Sequence, residues 1–478
     1  MLVFISRTSA AETLVGAESA FAATVVKGGE DVDPADVSYV WSFGDGETES
    51  GVGKSTVPHG YAAGTYSVTL TVTVGGVEAS AEMPNAVTAY GSSVAYVSND
   101  GSDTWPYDTA EKATPSPETA LAYVRKAVAA GFASGEVILR DGDYEINQKM
   151  TLDFAVTMRS ENGPEKTVIR PVDNKPITMV SVTGAKATLA GVTLADARNT
   201  TTVQAVALSM SNGLATNCVI RGIESGWSWN AAPNGCALSM SGGLAVEMTI
   251  TNNISPSHDY CQNASPVRLE GTAVLDRAII ADNEAGRPVG PWITSSWNRK
   301  IALAGGGVYL NGANAVCRNS FITGNRTVDQ PGAGAYVCAG TLENCTVSGN
   351  RMLSPTNTSW SAGVYAWPEA KIVNCIVDGN ANGTTVINAG GEDDTALDEA
   401  FTYCCLPGFS LGGVGCLTDD PQLDGFVPNA NVVGGKGRKA PWMKTAKDLV
   451  GRRRLIGGKV DIGCYETDFT YGLMLLVK

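Results

Sequence analysis

Histidine is nearly absent from this chain: 478 residues carry two, His59 and His258. Nucleophilic chemistry built on a Ser-His-Asp set therefore has almost no material to work with. Zinc fares no better, because the eleven cysteines never form a Cys-x-x-Cys pair. Positive charge is also short. Lys and Arg number 34 against 48 Asp and Glu, giving a net charge of −14 that favours solubility and argues against a nucleic-acid partner. No run of about 20 apolar residues is present to span a membrane. With 44% hydrophobic residues over this length, two folded domains are expected.

Glycine, in contrast, is abundant. Its 55 copies are well above the usual ~7% and supply many tight turns. A seven-residue phrase accompanies them, repeated as GVTLADA from Gly191, NCVIRGI from Asn217, EMTITNN from Glu247, RAIIADN from Arg277, NSFITGN from Asn319, NCTVSGN from Asn344 and NCIVDGN from Asn374. A second apolar run precedes the last six copies, starting at Val206, Ala237, Val267, Val308, Ala335 and Val364. The distance from that run to the phrase is nearly constant, and all the variation falls in the segment after the phrase. Self-similarity at such a period means stacked units that bury a core only against their neighbours. Alternation within the phrase, as in Thr346, Val347, Ser348, suits a strand with one face inside. Gly-Asn and similar pairs then end it, residues that tolerate a left-handed turn. The pattern predicts a parallel β-helix with two or three short strands per coil.

The segments GGGVYLNGANAVCRNSFITGN (Gly305 to Asn325), GAGAYVCAGTLENCTVSGN (Gly332 to Asn350) and SAGVYAWPEAKIVNCIVDGN (Ser361 to Asn380) resemble the right-handed parallel β-helix repeats of secreted bacterial proteins. YVSNDGSD at Tyr96 with GEVILRDGDYEI (Gly135 to Ile146) is similar to the first coil of pectate-lyase-like proteins. DDPQL (Asp419 to Leu423) and DLVGRRRLIGGKVDIGCYE (Asp448 to Glu466) resemble the closing segment of such β-helices, usually written DIGAYE, with Cys464 replacing the alanine. At the other end, WSFGDG (Trp41 to Gly46) and HGYAAGTYSVTLTV (His59 to Val72) resemble a PKD domain, a small immunoglobulin-like β-sandwich of extracellular bacterial proteins; Ser42 stands where that family often has Asp. The resemblances imply an all-β chain: a PKD-like sandwich over 1–92, a right-handed parallel β-helix over 93–467, and a tail over 468–478. Within the β-helix, 113–131 is expected to form one short N-terminal capping helix and 400–467 an irregular closing segment. They also imply a secreted or cell-surface protein, monomeric or part of a larger surface protein. Met1 to Ile5 is too short for a signal-peptide core and Met474 to Val477 for an anchor, so the expectation is a truncated N-terminus or a fragment of a longer chain.

Ser116-Pro117-Glu118 reads as a helix start, with Leu121, Val124 and Val128 on one face, suited to covering an open β-helix end. Cys218, Cys345 and Cys375 share the second position of their phrases with Val192, Met248, Ala278 and Ser320. A position that accepts all of these is expected to be an interior stack of small side chains holding free thiols. Cys404, Cys405, Cys416 and Cys464 cluster in the less regular end, where bridging is open, and the odd total leaves at least one thiol unpaired. Nine Lys or Arg between Lys436 and Lys459, against Asp448 alone, read as a solvated basic loop or as an anionic-glycan contact.

Function is expected in the variable loops. Trp227 and Trp229, then His258 and Tyr260, Trp292 and Trp297, and Trp360 fall after successive phrases, and loops of one register project from one edge of a solenoid. Flat rings suit the C–H faces of sugars, with Asn230, Asn234, Asn298 and Arg299 near for hydroxyls; the alternative is that they pack loop against loop. Two functional readings stand. The first is a glycan-binding or adhesive β-helix contacting polysaccharide through Trp227, Trp229, Tyr260, Trp292, Trp297 and Trp360. The second is a polysaccharide lyase acting on uronate glycans by β-elimination, with Lys300, Arg299 or Arg268 as base and a Ca²⁺ held by Asp259, Asp276 and Asp282, Glu270 being a further acid. Hydrolysis by paired carboxylates is less favoured, because the doublets Asp393-Asp394 and Asp419-Asp420 read as structural.

Overall fold

The computed structural model describes residues 1–175, 177–198, 206–225, 237–257, 265–288, 305–328, 330–353, 360–391, 398–408 and 413–467. The chain divides into two compact units, Met1–Ile138 and Leu139–Lys478.

The first unit opens with a β-sandwich. One sheet joins Leu2–Arg7, Glu18–Lys27, Glu30–Asp31 and Thr56–Gly60; the other joins Glu12–Leu14, Val77–Tyr90, Gly64–Val74, Ser38–Ser42 and Thr48–Val52. Alternation puts Val68, Leu70 and Val72 inside against Phe21, Trp41 and Phe43. The Trp41 indole N–H, which would be orphaned in that core, donates to Lys54 O at 2.9 Å. Gly44 and Gly46 turn the hairpin with positive φ, and a Cβ at Gly44 would stand 2.4 Å from Ser67 O. His59 is committed here as well, stacked on Phe43 at 3.9 Å and 2.7 Å from Asp45 Oδ2. The expected helix is present as Pro117–Ala130. Ser116 Oγ accepts from Thr119 N–H, Leu121 and Val124 are buried, and Gly131 ends it.

The second unit is the β-helix. From the third phrase onward each coil contributes to three sheets whose strands run parallel from coil to coil: a long sheet carrying the second apolar run, a sheet of phrase strands such as Thr249–Thr251 and Ile376–Asp378, and short strands after the phrase such as Arg326–Thr327 and Arg351–Met352. The all-β expectation of a sandwich followed by a parallel β-helix holds. In the phrase sheet Leu194, Ile220, Ile250, Ile280, Ile322, Val347 and Val377 stand in register, every one fully buried.

The phrase encodes more than a strand. Its first residue is a left-handed corner in all seven copies: Gly191, Asn217, Glu247, Arg277, Asn319, Asn344 and Asn374 have φ between 50° and 64°. Its sixth is a second such corner, at Asp196, Gly222, Asn252, Asp282, Gly324, Gly349 and Gly379. The seventh is not part of the turn: where it is asparagine it points inward and builds a ladder. Asn325 shows the pattern, its Oδ1 accepting from the backbone N–H and the Nδ2 of Asn283 while its own Nδ2 donates to Ile280 O and Asn350 Oδ1. The same links run from Asn253 through Asn380 to Asn388. Buried amides that complete their hydrogen bonds only with the next coil make stacking cooperative.

The closing segment lies along the outside of the last phrase strands. Asn374 exchanges hydrogen bonds with the Arg438 backbone, Gly463 N–H donates to Asn374 O, and Ile462 packs on Ile376 and Cys405. Arg454 and Glu466 approach within 3.1 Å, both buried, among the carboxylates of Asp448 and Asp461; burial pushes the Glu466 carboxyl up to about 8. The basic stretch 436–459 is anchored at the Arg438 backbone, at Trp442 and at the buried Arg454, while Lys436, Arg438, Lys439, Lys444, Lys447, Arg453 and Lys459 are exposed, as a solvated basic loop requires.

Candidate functional site

Strand alternation turns one residue of each apolar-run strand of the long sheet away from the β-helix interior at a fixed register, with Arg268 and the tyrosines of that row nonetheless buried. Following the pairing from coil to coil, that row reads Thr151, Ser181, Ser209, Ser239, Arg268, Tyr309, Tyr336, Tyr365 and Gly390. Hydroxyls occupy one end, phenols the other, and a single guanidinium the junction. The inward neighbours on either side stay apolar throughout, as Val180, Leu208, Leu238, Val267 and Val308 show.

The three tyrosines form a stack, with ring centroids 6.0 Å and 5.3 Å apart and planes within 23° of parallel. Coil-to-coil spacing sets those distances, so the stack is rigid by construction. Trp360 and Trp367, both half-buried, pack on it together with Cys338. Trp367 Nε1 donates to Tyr336 Oη at 2.8 Å, and Trp360 also reaches Ala333, Met352 and Ala362. The Tyr309 phenol is driven well above its usual range by burial first, then by Cys338 beside it. Arg268 lies over the Tyr309 ring at 5.5 Å and its Nη2 meets Glu270 Oε1 at 2.6 Å. It is only 9% exposed, and its Nε and Nη1 have no hydrogen-bond partner among the described residues.

Of the residues singled out from sequence, Arg268 and Trp360 thus fall on one edge. Asp276 does not join them. It is taken up by structure, accepting from Arg318 Nε at 2.9 Å and Asn319 Nδ2 at 2.8 Å. Arg318 in turn lies over Trp442 at 4.4 Å, whose indole N–H donates to Glu343 Oε2 at 2.9 Å; burial raises the Glu343 carboxyl above its ordinary range. Asp282 occupies a left-handed corner, where its Oδ1 would be 2.4 Å from a Cβ on Gly324 in the next coil. Among the described residues no group of three or more His, Cys, Asp or Glu is placed to hold a metal. Trp227, Trp229, His258, Asp259, Tyr260, Trp292, Trp297, Arg299 and Lys300 lie outside the described residues, as do Asp393 and Asp394. Sequence reasoning missed the tyrosine row, although its signal was available in VYL, AYV and VYA at one position of three successive runs.

Residues 10–88 match the family model of the PKD domain, a type of domain that is typically extracellular. No described helix is long and apolar enough to cross a membrane. No curated protein matches the sequence. Among solved structures, the chain is similar to Geobacillus virus E2 ORF18, at 10% identity and a TM-score of 0.30, covering 68% of this chain and 66% of that one, just under two thirds of its length. It is also similar to the catalytic domain of a GH87 alpha-1,3-glucanase in complex with tetrasaccharides, at 13% identity and a TM-score of 0.26, covering 82% of this chain and 86% of that one.

Proposed function

We propose that this is a secreted or cell-surface protein of the pectate-lyase-like β-helix class that recognises a polysaccharide along the outward row of its long sheet. The PKD-like sandwich, with its boundary near residue 92, serves as a spacer. The observation that carries the reading is the pair of half-buried indoles, Trp360 and Trp367, fixed on a rigid tyrosine stack in line with Arg268 and a run of serine hydroxyls. Stacked sugar rings need flat apolar faces held in place beforehand and polar groups beside them for hydroxyls or a carboxylate. Arg268 supplies the polar part: two buried donors without a described acceptor are costly unless something accepts from them. The loop aromatics Trp227, Trp229, Tyr260, Trp292 and Trp297 are included among the proposed glycan contacts on the chemistry of their rings.

The lyase reading asks Arg268, Arg299 or Lys300 to take a proton, aided by a Ca²⁺. Arg268 would first have to give one up, leaving Glu270 unpaired, so binding is the better use of it. Calorimetric titration with a panel of neutral and uronate polysaccharides tests the proposal, together with ultraviolet absorbance for unsaturated products. Binding without turnover is expected, weakened about tenfold or more, ~1.4 kcal/mol, by Trp360→Ala or Trp367→Ala. Binding by no glycan, or binding indifferent to both substitutions, would refute it; unsaturated products would establish the lyase.

A further inference from the structure

One inward column of the β-helix ends differently from the way it begins. The residue after each first corner stacks from coil to coil as Val192, Cys218, Met248, Ala278, Ser320, Cys345 and Cys375, all buried. The column then runs past the last phrase. Ile376 pairs with Cys405 and Cys405 with Leu417 in parallel register, so Cys375, Cys404 and Cys416, each one residue earlier, are neighbours in turn. Four cysteines, Cys345, Cys375, Cys404 and Cys416, thus stand one above another.

Hydrogen bonds trace the same line. Cys375 N–H donates to Cys404 Sγ at 3.4 Å and Cys404 N–H to Cys416 Sγ at 3.4 Å, and each thiol is within hydrogen-bond reach of the next. Adjacent parallel strands lie about 4.8 Å apart. That falls inside the Cα separation of about 4.4–6.8 Å that disulfides adopt.

The last pair differs from the others in access and in chemistry. Cys345, Cys375 and Cys404 are wholly buried, and burial holds their thiols well above the ordinary range. Cys416 is part-exposed, and the hydrogen bond from Cys404 brings it down to about 7. It also sits on the final rung directly after Gly413-Val414-Gly415, where the chain has left the regular coil. Cys405 is no competitor, for it faces the other way, onto Asp419 O and the packing around Ile376 and Ile462.

We propose that Cys404 and Cys416 form an oxidation site, a disulfide that ties the last rung of the β-helix to the rung before it, while Cys345 and Cys375 remain thiols. A low-molecular-weight disulfide such as oxidised glutathione is a sufficient oxidant. The Cys416 thiolate attacks one of its sulfurs, forming a mixed disulfide and expelling a glutathione thiolate. Cys404 then loses its proton and attacks Cys416 Sγ; the protein disulfide forms and the second glutathione leaves. Two protein thiols are oxidised and one small disulfide is reduced to two thiols. The bond restricts the unfolded chain, so it raises stability.

The full chain, incubated with oxidised glutathione near pH 8, alkylated and digested without reductant, tests this by mass spectrometry. Loss of two hydrogens, a peptide pair joining Cys404 to Cys416, and an upward shift in melting temperature that dithiothreitol reverses are expected. Cys405→Ser should keep the link. Cys404→Ser, checked for folding by circular dichroism, should stop at a glutathione adduct on Cys416. A lasting adduct on Cys416 in the unsubstituted chain, a link between any other pair, or no reaction overturns the proposal.

Discussion

The inward asparagine ladder and the outward Ser-Arg-Tyr row obey the same coil-to-coil register, yet one repeats a single residue and the other changes character midway. Asn253, Asn283, Asn325, Asn350 and Asn380 do the same job five times, each accepting from the buried backbone N–H at the same position of the coil before. The outward row has no such obligation. Ser209 and Ser239 are part-exposed, whereas Arg268 and the tyrosines after it are buried, with Trp360 and Trp367 packed on the tyrosines, so the passage from Ser239 through Arg268 to Tyr309 marks where this face becomes covered. Repetition marks stability, and the break in repetition marks the place to look for function.

Substitutions can break that comparison in order of expected size. Asn325→Leu should be the most damaging, since it strips acceptors from the backbone and side chain of Asn283 inside a dry core. At about 1–3 kcal/mol for each orphaned group, a loss of roughly 3 kcal/mol or more is expected in urea unfolding. A loss below 1 kcal/mol would mean the ladder is ornament. Tyr336→Phe, on the outward row, removes the acceptor of Trp367 Nε1 and keeps the ring in its stack. It should cost about 1 kcal/mol, read in the same unfolding series. If the two substitutions cost the same, the division between scaffold and surface fails.

Much of the ladder side was legible in the sequence, and the reason is physical. Left-handed corners accept few residues, so Gly and Asn recur at positions such as Asn319, Gly324, Asn344 and Gly349, and the period shows through. What was misread there was the role of the final asparagine, taken for part of a turn. The distinction between a turn amide and a ladder amide depends on the neighbouring coil, which one phrase cannot reveal. The outward row was harder to read. Its residues are close in space but about thirty positions apart in the chain, and no two halves of it share a chemical type. Asp276 and Asp282 show the converse problem: carboxylates that suit a metal by type are claimed by Arg318 and Asn319 or stationed at a corner.

A bound glycan should touch the molecule along the outward row and nowhere on the phrase sheet. Hydrogen–deuterium exchange with and without the best-binding polysaccharide should show protection at 266–270, 308–311, 335–338 and 360–367, with the phrase strands at 249–251, 321–323 and 346–348 unchanged. Protection confined to the phrase strands, or to the sandwich, would contradict it.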